Sequence, residues 1–359
     1  MTNPKTINLA LQGGGAHGAF TWGVLDKLLA DGRLEFEGIS GASAGAVNAV
    51  ALAHGWAQAR DSGRDPAEGA REALARVWNQ VTAMGTLSHA PSRMARIMMG
   101  ALPGAMSRVS PYQTNPLDFN PLRKLLEREI DFERLSRLRK PCVYVSATDV
   151  ETGRCVVFSG KKLTVQAVVA SGCLPLLFQA PEIDGRTYWD GGYSNNPALT
   201  PLVERSASRD ILLVQITPLR HEGTPRTMAE IVDRINDLTF NASLIAQMRS
   251  LGVLNDMVGK GVAPRGLTAI HIHRIDGGAA LSVLPAGTKV LPQMSTVQKL
   301  FVLGQEAASR WLAQHLGAVG HKSSIDLRRD YGDPLRLNYR PQTLDSASSA
   351  APPAPATAF

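Results

Sequence analysis

The sequence predicts an α/β fold with a mostly parallel central sheet, and three observations predict it. Short apolar runs alternate with helical stretches through most of the 359 residues. Glycine clusters fall where two early runs give way to helices. A later run, "DILLVQITP" at 210–218, is almost wholly apolar, as a strand covered on both faces must be.

Residues 5–12 read as a buried first strand, and "GGGAHG" then leads into a helix from about His17 to Ala30. "EGISGA" at 37–42 runs into "SAGAVNAVALAHG", a small-residue helix that Gly55 is expected to end. The alternation breaks between Trp56 and Asn120. A polar linker, an amphipathic helix around Glu72–Val81 and a stretch rich in Met and Arg lie there. Asn120 and Pro121 form a cap and first turn for a helix to Ile130. "PCVYVSATD" and "RCVVF" are a strand pair joined across "VETG", and "TVQAVVASGCLPLLF" is a short helix ending before Pro175. "EIDGRTYWDGGYSNNP" is a hairpin with an Asp-Gly turn, entering a glycine loop at Asp190. A long helix at Thr227–Val258, the strand "LTAIHIHRI" and a helix from about Ser295 to His315 follow. The expected organisation is a catalytic domain at 1–215 with a helical, lid-like insertion at about 56–120. An α/β extension at 216–341 packs on it, and an Ala/Pro/Ser-rich tail at 342–359 is disordered.

Composition narrows the function classes. A content of 44% hydrophobic and 19% charged residues suits a globular protein. No apolar run of about 18 residues predicts a transmembrane helix, and "MTNPKTINLALQGGG" lacks the marks of a secretory signal. Cys142, Cys155 and Cys173 are odd in number and widely spaced. They argue for reduced thiols in a cytoplasmic setting, against a disulfide framework and against a metal site. The net charge of +7 is scattered, without the basic stripe and interleaved aromatics that nucleic acid requires.

The first glycine loop admits two chemistries. Gly13, Gly15 and Gly18 satisfy G-x-G-x-x-G, the phosphate turn of a dinucleotide fold. That reading needs a second strand ending in an acid about 20 residues on. Glu35 and Glu37 stand near that distance, but "LADGRLEFEG" does not read as a strand. Bare amides at a helix N-terminus suit an oxyanion equally well.

"GASAG" favours the oxyanion, although alone it reads equally as a small-residue turn with Ser43 as a helix N-cap. Gly41, Ser43 and Gly45 spell G-x-S-x-G at a strand-to-helix junction, the turn that lifts a serine hydroxyl clear of a sheet. A serine nucleophile needs a base. The late histidines, His221, His271, His273, His315 and His321, have no loop context that singles one out, and His271 and His273 read as a structural pair on one strand face. Asp190, followed by Gly191 and Gly192, ends a strand in a tight loop that can hold a carboxylate against another backbone element, although by itself it reads as a hairpin aspartate in a turn.

Taken together, these motifs resemble the patatin-like phospholipase family, serine acyl hydrolases with a Ser–Asp dyad. The oxyanion motif G-G-G-x-[K/R]-G is similar to Gly13–Gly18, and G-x-S-x-G to Gly41–Gly45. D-G-[G/A] is similar to Asp190–Gly192, and the Ala-Ser…Pro block to Ala170, Ser171 and Pro175. The resemblance implies a three-layer α/β/α architecture, Ser43 as nucleophile and Asp190 as base. It implies Gly13, Gly14, Gly15, Ala16 and Gly18 as the oxyanion loop, a lipid or other acyl-ester substrate, and no cofactor. His17 departs from the family's Lys or Arg, so charge there becomes dependent on pH; it is either an orienting group or a first-turn residue of the helix. Residues 93–108 hold Met94, Met98, Met99 and Met106 among Arg93, Arg96 and Arg108. A lid or anionic-membrane contact and an ordinary buried helix-loop fit that composition equally.

Overall fold

The computed structural model describes residues 3–87, 110–221, 223–282, 284, 287–290 and 293–333. It is a mixed α/β fold whose central sheet is mostly parallel and flanked by helices. The strands are β1 (Lys5–Leu11), β2 (Leu34–Gly41), β3 (Cys142–Asp149), β4 (Cys155–Phe158), β5 (Glu182–Ile183), β6 (Arg186–Asp190), β7 (Asp210–Gln215) and β8 (His271–Asp276). They hydrogen-bond in the order β5-β6-β3-β2-β1-β7-β8, with β4 also paired to β3. Strands β3, β2, β1, β7 and β8 are mutually parallel, and β4, β5 and β6 add antiparallel pairs at one end.

Side-chain alternation sorts the sheet's two faces. Ile7, Leu9 and Leu11 of β1 and Leu212 and Val214 of β7 point into one apolar cluster. Helices α1 (Gly18–Asp31), α2 (Ala44–Asp61), α3 (Pro66–Leu87) and α9 (Met294–His315) supply most of the rest of that cluster. Ala10, Ile211 and Leu213 face the other way, against α8 (Met228–Gly259), α7 (Thr200–Arg205) and α10 (Leu327–Tyr331). The remaining labelled helices are α4 (Pro121–Glu129), α5 (Phe132–Arg137) and α6 (Val165–Ser171).

Local signals act where the sequence places them. The Asn120 side chain accepts from the Leu122 and Arg123 amides with Pro121 in the first turn of α4. Asp184 and Gly185 both take positive φ, 53° and 75°, in the turn between β5 and β6. Thr227 and Glu230 form a reciprocal capping box at the start of α8.

Two expectations fail. "LEFEG" is part of β2: Leu34 and Phe36 are buried while Glu35 is exposed, so the run alternates as a half-buried strand does. Glu37 is held there by the Ser208 amide, which donates to its Oε2 at 2.7 Å. Gly55 does not end α2, which continues to Asp61. It is a contact point instead, because a Cβ there would collide with the Gly69 carbonyl of α3. Helix α3 is longer than its predicted core at 72–81 and packs on α1 and α2 within the helical layer. The 93–108 stretch and the tail at 342–359 lie outside the described residues.

Register on β3 positions the site. Along its first half β3 pairs with β2, Gly41 opposite Val145. Along its second half it pairs with β6, Asp190 opposite Ala147. Strand β4 pairs with both Val145 and Ala147, and so occupies the opposite edge. Strands β2 and β6 therefore share one edge of β3, run toward each other and meet end to end. Ser43 leaves the end of one and Asp190 ends the other.

Candidate active site

The elbow is built by close backbone approach. Ser43 adopts φ 53° and ψ −123°, a left-handed conformation that a non-glycine residue occupies only under constraint. Gly45 lies against β1 so closely that a Cβ would strike the Leu11 carbonyl oxygen, and a Cβ on Gly41 would sit 2.5 Å from the Gly45 carbonyl. The glycines of G-x-S-x-G are thus required for space. The Ser43 amide donates to Ser171 Oγ at 2.9 Å.

Asp190 is fully buried. Its Oδ1 accepts from the Gly192 amide at 2.7 Å, while its Oδ2 has no hydrogen-bond partner. The Ser43 hydroxyl lies beside this carboxylate without completing a bond of ordinary geometry, yet near enough to favour its charged form. Desolvation outweighs both donors and pushes the Asp190 carboxyl up to about 7. The strand end is pinned as well, since the Asp190 amide donates to the Cys173 carbonyl at 2.8 Å and its carbonyl accepts from Thr148 Oγ1 at 2.7 Å.

The first glycine loop abuts the elbow. A Cβ on Gly13 would lie 2.6 Å from the Ala42 carbonyl oxygen and 2.7 Å from Ser43 Cβ. The Gly13 amide donates to Asn196 Oδ1 at 2.6 Å, and Asn196 Nδ2 returns to the Gly13 carbonyl at 3.3 Å. Gly13 is therefore clamped rather than available. The short turn Gly15–His17 closes through the His17 and Gly18 amides, leaving those of Gly14, Gly15 and Ala16 outside its bonds. Gly191 and Gly192 form the turn after Asp190, where the backbone crowds Ser146 and Phe240.

His17 is buried, and its Nε2 lies 2.7 Å from Thr288 Oγ1. Burial, reinforced by the Lys289 charge, lowers its pKa to about 3, so near neutrality it is an uncharged imidazole. Lys289 reaches Asp237 of α8 at 2.6 Å, and its carbonyl rests on Gly15. The C-terminal part of the chain thus braces the glycine loop. Gln12 adds a second brace: its Oε1 accepts from the Ile216 and Thr217 amides at 2.9 and 2.8 Å, and its Nε2 donates to Asn241 at 3.0 Å.

The other candidates are placed elsewhere. His273 Nε2 meets Asp210 Oδ1 at 2.9 Å and His271 Nδ1 lies 3.4 Å from the same oxygen, at the amino ends of β7 and β8. Burial would raise the Asp210 carboxyl, but the His273 bond and the Gly320 amide hold it below the usual range. Ser43 stands at the opposite, carboxyl edge of the sheet. Cys173 sits near Asp190, but burial, and then that carboxylate's charge, push its thiol up to about 12, which keeps it protonated and unreactive. Among the described residues no group of three or more His, Cys, Asp or Glu side chains could hold a metal ion, and no helix is long and apolar enough to cross a membrane. Asn196, Gln12 and Thr148 carry no local sequence signal, because their partners are distant along the chain. Ser171 was visible only as part of a motif.

Fold and site define the class: an α/β protein with a mostly parallel sheet, and a strained serine near a buried carboxylate at the sheet's carboxyl edge. The comparisons give the family. Patatin-like phospholipase matches residues 9–203, more than half of the chain, and the chain belongs to that family. Membership supports lipid acyl hydrolysis as its general class of activity. No curated protein matches. Among solved structures, the crystal structure of VipD from Legionella pneumophila is similar at 14% identity and a TM-score of 0.39, covering 87% of this chain and 67% of that one.

Proposed function

We propose that the protein hydrolyses carboxylic esters of lipids through a Ser43 acyl-enzyme, with Asp190 as its general base. The observation that carries this reading is the meeting of Ser43 with a fully buried carboxylate whose pKa is raised to about 7. A base works best when its pKa lies near the working pH, and an ordinary carboxylate is far too weak at neutrality. Ser43 Oγ attacks the ester carbonyl carbon as its proton passes to Asp190. The tetrahedral intermediate collapses, and the departing alkoxide takes that proton. Water, deprotonated by Asp190, then attacks the acyl-enzyme, and the Ser43 oxygen departs with that proton as the acid is released. The Gly14, Gly15 and Ala16 amides are the proposed donors to the oxyanion, with Gly13 and Gly18 holding the loop. One such donor typically contributes about 2.7–4 kcal/mol to the transition state.

The surroundings suit an acyl chain. Leu176, 69% exposed, lies in the turn just after Cys173, whose carbonyl holds the Asp190 amide, and Gln179 Nε2 donates to the Asn115 carbonyl at 2.6 Å, in the segment that carries exposed Leu117 and Phe119. Exposed large apolar side chains of this kind suit contact with a lipid. The test is hydrolysis of a panel of phospholipid, lysophospholipid and acylglycerol esters with identification of the released acid. Ser43→Ala and Asp190→Asn are each expected to lose most activity while remaining folded. A folded variant of either kind with full activity would remove that residue from the mechanism.

A further inference from the structure

Ser43 and Asp190 come from strands that meet without being hydrogen-bonded to each other, so something else must set their separation. Both are attached to the same three residues. The Ser43 amide donates to the side-chain oxygen of Ser171 at 2.9 Å, and the Asp190 amide donates to the backbone oxygen of Cys173 at 2.8 Å. Gly172, between them, faces the nucleophile: a Cβ there would sit 3.8 Å from Ser43 Oγ.

This tripeptide is itself rigidly held. Thr164 caps the start of α6 by accepting from the Ala167 amide, and the Gly172 and Cys173 amides close the helix end onto Val169 and Ala170 at 3.2 and 3.1 Å. Ser171 and Cys173 are fully buried. The Ser43 amide, by contrast, belongs to a residue with φ 53°, which relaxes unless its surroundings over-determine it.

We propose that Ser171 is a positioning residue for the reaction, and that Ser171–Gly172–Cys173 is a clamp fixing the nucleophile against its base. The proposal rests on the Ser43–Asp190 reading above. Ser171 touches neither proton nor substrate; it acts through the Ser43 backbone. Its hydroxyl fixes the elbow's rotation, and the Cys173 carbonyl fixes the strand end that carries the base. Misplacement of reacting groups by about 1 Å can cost about a hundredfold in rate.

The test compares Ser171→Ala, Ser171→Cys and Ser171→Thr in the full chain, with an ester that the unmodified protein hydrolyses. Ser171→Ala is expected to lower kcat by about ten- to a hundredfold. KM should stay within about twofold, because the substrate contacts are untouched. The acid limb of kcat/KM should keep its midpoint near 7, because Ser171 makes no contact with the Asp190 carboxylate. Ser171→Thr restores the acceptor and should recover most of kcat. If the alanine variant fails to fold, Ser171→Cys, of similar volume with a poor acceptor, is expected to show the same loss. A folded alanine or cysteine variant with unaltered kcat, or one in which only KM rises, overturns the proposal. If instead Ser43→Ala hydrolyses the same ester at full rate, the dyad reading fails and the clamp falls with it.

Discussion

Burial of Asp190 should make the protein less stable, in a way that depends on pH. The carboxyl is fully buried, and its pKa is about 7 in the folded chain against 3.8 for the free side chain. Below pH 3.8 both states are protonated and the difference costs nothing. Between 3.8 and 7 the unfolded chain releases its proton while the folded chain keeps it, so stability falls as pH rises. Above 7 both are ionised and the penalty levels off. At about 1.36 kcal/mol per pKa unit, it amounts to about 4 kcal/mol at pH 8 and about 1–2 kcal/mol at pH 5. Asp190→Asn removes the titration and preserves an oxygen for the Gly192 amide. The variant should therefore be inactive and more stable, with a stability gain about 2–3 kcal/mol larger at pH 8 than at pH 5. Urea unfolding of both proteins at the two pH values reads this directly. Equal differences at pH 5 and pH 8 would refute the argument that a desolvated carboxylate sits at the end of β6.

Other outcomes follow from the same site. With Asp190 as the proposed base, which accepts the Ser43 proton only when ionised, kcat/KM should fall about tenfold per pH unit below 7 and plateau above it, measured on a soluble ester between pH 5 and 9. His17, with its pKa lowered to about 3 by burial and Lys289, should show no titration of its ring carbon resonances between pH 5 and 8 by NMR; a midpoint near 6.5 would contradict its buried setting. Gly45→Ala drives a methyl group into the Leu11 carbonyl and should destabilise by about 3 kcal/mol or more, visible as a large drop in the urea midpoint.

How far the sequence reveals this structure depends on the range of each signal. The Asn120 cap, the Asp184–Gly185 turn and the Thr227–Glu230 box depend on neighbours a few residues away, and all are legible in the chain. The largely apolar β7 is equally plain, while β2 is not. Its charged Glu35 and Glu37 conceal a strand whose alternation becomes clear only when Leu34 and Phe36 find the core and Ser208 holds Glu37. Gly55 carries two meanings in sequence, helix end or helix contact, and only the presence of Gly69 across the interface selects the second. At the site, Ser43 and Asp190 announce themselves by the glycines around them. The supports do not, because Asn196, Gln12, Thr148 and Thr288 act across distances of more than 40 residues. The resemblance places Gly13 in the oxyanion loop, whereas its amide is already committed to Asn196.

The whole account depends on one oxygen atom being chemically activated by its fully buried neighbour. A fluorophosphonate reagent followed by peptide mass spectrometry measures that directly. The account predicts a single adduct on Ser43, formed at a rate that rises through pH 7 and abolished or greatly slowed in Asp190→Asn. An adduct on another residue, or labelling of Ser43 at the same rate without the Asp190 carboxylate, would contradict it.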